Sequence, residues 1–281
     1  MNIGIVGNGY VGNATALLKS YKFNVVIYDK DNDKCSPKGT TLNDLLNSVF
    51  VFVCVPTPMR PDGSCETGIV EAVVGDLTNL GYPSNRIIVR STVPVGTCSK
   101  LNVMFMPEFL TERNWEKDVG ECKEWVLGTN NRDDKARDEV YDILSQAHKD
   151  NKLVYKPNLT FATTQEAELA KYTRNCFLAL KVSFFNEIED FCYCDENIDY
   201  DKVKSLVGTD NRIGMSHTAV PGPDGKRGYG GTCFPKDMNS LQFQFSERDV
   251  PCFIIKSAQK RNESHDRAEK DWEMDRGRAV I

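Results

Sequence analysis

No run of apolar residues in this 281-residue chain approaches 18, so nothing in it reads as a membrane span. Basic charge is also in short supply. The 35 Lys and Arg against 40 Asp and Glu leave a net charge of −5, which argues against a general nucleic-acid binder. An anionic substrate stays open, because a local basic pocket can sit in an acidic protein. Cys-x-x-Cys is absent, and the tightest pair among ten scattered cysteines is Cys192-x-Cys194, so no metal site is expected. A cleavable leader is not expected, since Met1-Asn2-Ile3 runs straight into a strand pattern. Free thiols without a leader point to a reducing compartment, the cytoplasm. Internal repeats and low-complexity blocks are lacking. What remains is globular: 40% hydrophobic, 27% charged, and long enough for two ordinary domains.

Residues 2–6 read as a buried strand, and Gly7-Asn8-Gly9-Tyr10-Val11-Gly12 follows at once. A helix is expected over 14–19. Residues 25–28 form a second strand pattern that ends in Asp29, 22 residues after Gly7. Strand, glycine turn, helix and acidic residue together make the dinucleotide fingerprint in its required context. Gly7 permits the tight turn, Gly9 lets a pyrophosphate reach the helix N-terminus, and Gly12 lets helix and strand touch. Asp29 would accept the adenosine ribose hydroxyls and repel a 2′-phosphate, so NAD is expected over NADP, with Tyr10, Val11 and Lys30 flanking the site. Further strands are expected over 49–55, 86–90, 103–106, 125–128 and 153–155, with a polar helix over 133–148. Polar or proline-rich residues close several of them. In an open parallel sheet that edge binds ligands, so Val55, Pro56, Thr57, Ser91 and Thr92 join the expected cofactor site.

Thr163-Thr164-Gln165-Glu166 has capping-box spacing, and a long helix should follow to about residue 193. Its apolar positions, Phe177, Phe184 and Phe191 among them, are too many for one stripe, so burial on several sides is expected. Lys171 and Asn175 share a face, and spacing alone leaves Lys171 evenly open between a solvated surface charge and a site residue. Residues 199–207 suggest a short helix, and 215–227 a long loop of a length that is usually functional or disordered. The stretch Arg227-Gly228-Tyr229-Gly230-Gly231-Thr232-Cys233-Phe234-Pro235-Lys236-Asp237 carries the most chemistry. Its glycines allow close approach to a ligand. Cys233 falls at the start of a helix opened by Pro235, where the helix dipole favours a thiolate. Asp237 lies one turn further on. Residues 260–278 are dense in both charges and read as a solvated, frayed helix.

These motifs run in one order along nearly the whole chain, and together they resemble the nucleotide-sugar 6-dehydrogenase family. They are Gly7–Gly12 with Asp29, Cys54–Pro58, Ser91–Thr97, Pro107–Leu110, Glu168–Tyr172 with Asn175, Phe185–Glu187, Asp210–Gly214 and Gly228–Asp237. The Tyr-Gly-Gly-Thr-Cys-Phe-Pro-Lys-Asp form is most similar to the UDP-glucose branch. The resemblance implies an α/β chain. On that resemblance, a Rossmann-type doubly wound parallel sheet over 1–160 would bind NAD, and an all-α central dimerisation domain over 161–281 would carry the cysteine loop. It implies oxidation of UDP-glucose to the carboxylate with two NAD in turn. Cys233 would be the nucleophile, and Lys171 and Asn175 would stabilise the oxyanion. Glu108, Thr92 and Asp237 would handle protons and water. Phe109, Leu110, Glu112, Tyr229, Gly230 and Gly231 would line the substrate site, with Arg212 reaching in from the partner of a homodimer built on the long helix. Two departures stand out. The family's usual third, UDP-binding domain does not follow in this sequence, and the stretch from Asp29 to Cys54 is short. Rival readings are a two-electron hydroxy-acid-type dehydrogenase and a non-catalytic NAD- or nucleotide-binding relative.

Overall fold

The computed structural model describes residues 1–130 and 134–281. The chain divides into two compact units, residues 1–57 with 66–171 and residues 58–65 with 172–281. The first is built on one sheet of β1 (Asn2–Val6), β2 (Asn24–Tyr28), β3 (Ser48–Val53), β4 (Ile87–Val89), β5 (Met104–Phe105), β6 (Glu124–Gly128) and β7 (Asn158–Ala162). The spatial order is β2-β1-β3-β4-β5-β6-β7. Strand pairs are parallel except β5–β6, which meet antiparallel at Phe105 and Gly128. The fold is therefore the expected Rossmann-type sheet, with one reversal.

Both faces of the sheet are covered, which is why its strands read as continuous apolar runs. Phe50 and Phe52 pack on one face with Ile3, Ile5 and Ile88, against α1 (Tyr10–Ala16) and α5 (Asp134–Lys149). Val51 and Val53 point the other way, toward Val70, Val74 and Leu77 of α2 (Gly68–Asn79) and Cys98 of α3 (Thr97–Leu101). A further short helix, α4 (Trp115–Gly120), adds Val119 to the first face.

Three local expectations need correction. The helix after the glycine turn spans Tyr10–Ala16 rather than 14–19, starting directly from Gly9. The strand expected at 153–155 lies at Asn158–Ala162, after Pro157. Val154 and Tyr155 are exposed, so only Leu153 of that apolar triplet is in the core. The short stretch between β2 and β3 holds two 3-10 turns, over residues 32–34 and 42–47, and no α-helix. Residue 133, expected to open the polar helix, lies outside the described residues.

Helix α6 (Thr164–Tyr193) starts in the first unit and ends in the second. Its capping box is made: the Glu166 N–H donates to Thr163 Oγ1 at 3.2 Å, and the Thr163 N–H to Glu166 Oε2 at 2.7 Å. In the second unit, Tyr172, Cys176 and Ala179 of α6 pack with Met238 and Leu241 of α8 (Phe234–Ser246) and Ala258 of α9 (Phe253–Arg261). Helix α7 (Tyr200–Gly208) is capped by Asp199, whose side chain accepts from the Asp201 and Lys202 N–H groups. Phe177, Phe184 and Phe191, expected to be covered between domains or between subunits, are 63%, 56% and 69% exposed within the single chain. They recur every seven residues and so form one stripe.

Candidate active site

In the first unit, the glycine turn joins β1 to α1. Gly7 has φ +93°, and a Cβ there would sit 2.6 Å from the Cys54 carbonyl oxygen. A Cβ on Gly12 would collide with the Gly7 carbonyl, whereas one on Gly9 would meet nothing within 4 Å. Two glycines thus permit close packing, and the third faces open space. No side chain caps α1, and Asn8 Oδ1 beside its N-terminus is buried without a partner. These features fit a dinucleotide pyrophosphate. Asp29 directly follows β2, with Oδ2 accepting from the Asn8 N–H at 2.7 Å and Oδ1 from the Asp31 N–H at 2.9 Å. Lys30 and Pro56 are exposed, while Tyr10, Val11 and Val55 are half-buried. Thr57, Ser91 and Thr92 are buried. Ser91 Oγ donates to the Val55 carbonyl at 2.7 Å, which ties the ends of β3 and β4 together.

At the end of β5, Glu108 is 4% exposed. Lys171 Nζ donates to Glu108 Oε1 at 2.8 Å and to its carbonyl oxygen at 2.6 Å. The Leu110 N–H reaches Oε2 at 2.8 Å. Burial pushes the Glu108 carboxyl up, but the Lys171 ammonium and its hydrogen bond, the Leu110 N–H and Arg90 outweigh it. Glu108 is therefore held below the ordinary glutamate value as a buried carboxylate. Phe109 lies 5.6 Å beneath the Lys171 ammonium, Leu110 is half-buried and Glu112 is exposed. Lys171, which spacing alone left open between surface and site, is thus fully buried. One turn before it, Glu168 is buried and accepts from the Gly96 N–H at 2.6 Å and the Cys98 N–H at 2.8 Å.

In the second unit, Cys233 occupies the N-cap of α8 and is half-buried. Asp237, one turn along and 1% exposed, accepts from Asn175 Nδ2 at 2.6 Å and from Lys236 Nζ at 2.6 Å. Burial disfavours the Lys236 ammonium, but Asp237, with Cys233 and Cys65 adding, holds it above the ordinary lysine value. Arg212 is exposed and paired with Asp210 at 2.6 Å. Tyr229 is buried, and Gly231 at φ +70° has nothing within 4 Å of where a Cβ would stand.

The family models match both units. The model described as the UDP-glucose/GDP-mannose dehydrogenase family, NAD binding domain, matches residues 36–146, and the central domain of the same family matches 165–264. A Bacillus subtilis (strain 168) protein is 32% identical over 304 residues, covering 94% of this chain and 68% of its own length. The UDP-glucose 6-dehydrogenase of Rhizobium meliloti (strain 1021) is 30% identical, covering 95% of this chain and 69% of its own. The chain belongs to the UDP-glucose/GDP-mannose dehydrogenase family. A solved UDP-glucose dehydrogenase from the archaeon Pyrobaculum islandicum shares the fold, with a TM-score of 0.77 at 24% identity over 93% of this chain and 68% of that one. The chain is an NAD-dependent oxidoreductase of this family, and among its described residues no helix is long and apolar enough to cross a membrane.

Family membership leaves one stretch to correct. Residues 260–278, expected to be a solvated helix, bury Asn262, Asp266, Arg267 and Trp272. Their charges are paired: Arg261 with Asp190 and Asp266, Arg267 with Asp224 and Asp271, and Arg227 with Glu189, Asp190 and Asp266. Charged residues are buried almost only when paired, and here they are.

Proposed function

We propose that this chain oxidises the C6 primary alcohol of UDP-glucose to the carboxylate, through a thiohemiacetal and then a thioester on Cys233. The observation that carries the reading is the N-cap Cys233, one turn from a buried Asp237 that accepts hydrogen bonds from Asn175 and Lys236. A simple alcohol-to-carbonyl dehydrogenase has no use for a thiol there. In the first step the alcohol loses a proton to a base and a hydride to NAD+. The Cys233 thiolate then adds to the aldehyde carbon, and the resulting oxyanion is stabilised by Lys171 and Asn175, one turn apart on α6. A second hydride passes to a second NAD+ and leaves the thioester. Water adds, the carbon–sulfur bond breaks, and the carboxylate leaves. Per substrate, one water is consumed, two NADH form and three protons are released.

Glu108, with Thr92 and Asp237, serves the proton and water steps; ion-paired to Lys171 and held below the ordinary glutamate value, its carboxylate is a weak base that acts by orienting the water. Phe109, Leu110, Glu112, Tyr229 and Gly231 line the substrate site, whereas the space a side chain on Gly230 would take is filled by Arg267. We take residues 1–160 as the NAD-binding domain and 161–281 as the central domain. The exposed stripe of Phe177, Phe184 and Phe191 supports a homodimer along α6, which lets Arg212 act in the partner's site. Ten free cysteines, Cys233 among them, suit a reducing, cytoplasmic setting. Incubation with NAD+ and a panel of nucleotide sugars tests the proposal. UDP-glucose should give two NADH per carboxylate, while one NADH per substrate would return the chain to the two-electron reading and none to the non-catalytic one.

A further inference from the structure

We infer that Asn262 and Arg267 are positioning residues that fix the backbone of the cysteine loop, an inference that rests on Cys233 being the nucleophile. Asn262 has no exposed surface and pairs with Tyr229 as one strand pairs with another. The Tyr229 N–H donates to Asn262 Oδ1 at 2.8 Å, and Asn262 Nδ2 donates to the Tyr229 carbonyl at 2.9 Å. Arg267, 3% exposed, donates through Nη1 to the Arg227 carbonyl at 3.3 Å. Its other nitrogens hold Asp271 and Asp224, so the guanidinium ties the long loop to the chain's last segment. From α6, the buried Asn186 accepts the Gly228 N–H at 3.1 Å. The Arg227 carbonyl, the Gly228 N–H and both Tyr229 backbone groups are thus met by three buried side chains, and none of those four groups depends on water.

The glycines fit the same clamp. A Cβ on Gly228 would collide with Asn262 Oδ1 and stand 2.9 Å from Asp266 Cβ, and one on Gly230 would stand 2.5 Å from Arg267 Cζ. Gly228 and Gly230 are therefore small because Asn262 and Arg267 fill the space, whereas Gly231 alone of the three faces a void. Locked from residue 227 to residue 230, the loop has only Gly231 and Thr232 between the clamp and the nucleophile. The clamp sets where the thiol points.

The test uses the full chain with NAD+ and UDP-glucose. Cys233→Ala examines the nucleophile reading alone and should abolish carboxylate formation. Asn262→Ala and Gly230→Ala, which press on the clamp from its two sides, should each lower kcat about 10²-fold, as misplacement of a reacting group does. NAD affinity by calorimetry should stay within about twofold of the unmodified chain. In an Arg267→Met background the Gly230 methyl has room, so Gly230→Ala should cost less than about threefold there, a coupling that general destabilisation does not produce. Should Asn262→Ala fail to fold, the Gly230 and Arg267 cycle stands by itself. If Cys233→Ala is inactive but Gly230→Ala keeps kcat per folded molecule within about twofold, or if the Gly230 and Arg267 effects simply add, the clamp is structural only and the inference is overturned.

Discussion

Replace Lys171 by methionine, and the Glu108 carboxylate loses a cation 2.8 Å from its Oε1 while staying in a site only 4% exposed. At an effective dielectric of about 20, a pair at that distance attracts by about 6 kcal/mol. Part of the loss is met by the Leu110 N–H and by Arg90, both of which favour the ionised form. The Glu108 carbonyl also loses its donor. Removing one member of a buried pair costs about 3–5 kcal/mol, and the variant should fall in that range at pH 7.5. The pH dependence has a definite sign. In the intact pair the Glu108 value is depressed, so its stabilisation is present above the unfolded value of about 4.3 and is lost as pH falls through the folded one. In the variant, burial dominates and raises the Glu108 value, so its ionisation costs stability as pH rises past about 4.3. The deficit should therefore be largest at pH 7.5 and shrink toward pH 4.5. Urea unfolding at both pH values measures it, and Lys171→Met/Glu108→Gln should recover most of the stability. Neither variant should recover turnover, which drops about 10²–10³-fold on losing one oxyanion donor. A Lys171→Met chain within about 1 kcal/mol of the unmodified one at pH 7.5, or a double variant that regains activity with stability, would refute this reasoning.

Four shorter tests follow. Asp29→Ala should bring NADP affinity toward that of NAD in calorimetry, since the carboxylate that would repel a 2′-phosphate is gone; an unchanged preference would count against its role. Gly12→Ala puts a Cβ onto the Gly7 carbonyl and should abolish NAD binding, so a dissociation constant within about twofold of normal would show that the turn yields. Serine at Phe177, Phe184 and Phe191 together should convert a sedimenting dimer to monomer, and an unmodified chain that is already monomeric at micromolar concentration would remove the dimer. Cys233→Ser should stall after one or two NADH per site, because a serine ester forms and hydrolyses less readily than a thioester. Steady carboxylate production by that variant would end the covalent mechanism.

What the sequence disclosed, and what it hid, divides along one physical line. β1 to β4 were readable because both faces of the sheet are covered, so Phe50 to Val53 form an apolar run with no polar interruption. β7 was not, because it closes the edge of the sheet and most of it is exposed, so its apolar Leu159 and Phe161 alternate with polar residues instead of forming a continuous run. The apolar Leu153-Val154-Tyr155 drew the assignment instead, although only Leu153 is buried. The Thr163–Glu166 box was readable because both its partners lie within four residues. Lys171 was undecided from spacing because its partner, Glu108, is 63 positions away.

The same limit explains the last segment, and it changes how the glycine loop is understood. Charge density over 260–278 read as solvation because the partners of Arg261 and Arg267, Asp190 and Asp224, lie far back in the chain. Local composition can show that charges are present but not that they cancel. Once they cancel, the segment can be buried, and its Asn262 and Arg267 can occupy the space that Gly228 and Gly230 leave. From sequence, all three loop glycines looked like room for a ligand. In the folded unit two of them make room for the protein's own side chains. A substrate that approaches this loop through missing side chains has one place to do so, at Gly231, two residues before the thiol. Bulk added at Gly231 should therefore be felt in KM, whereas bulk added at Gly230 should be felt in kcat.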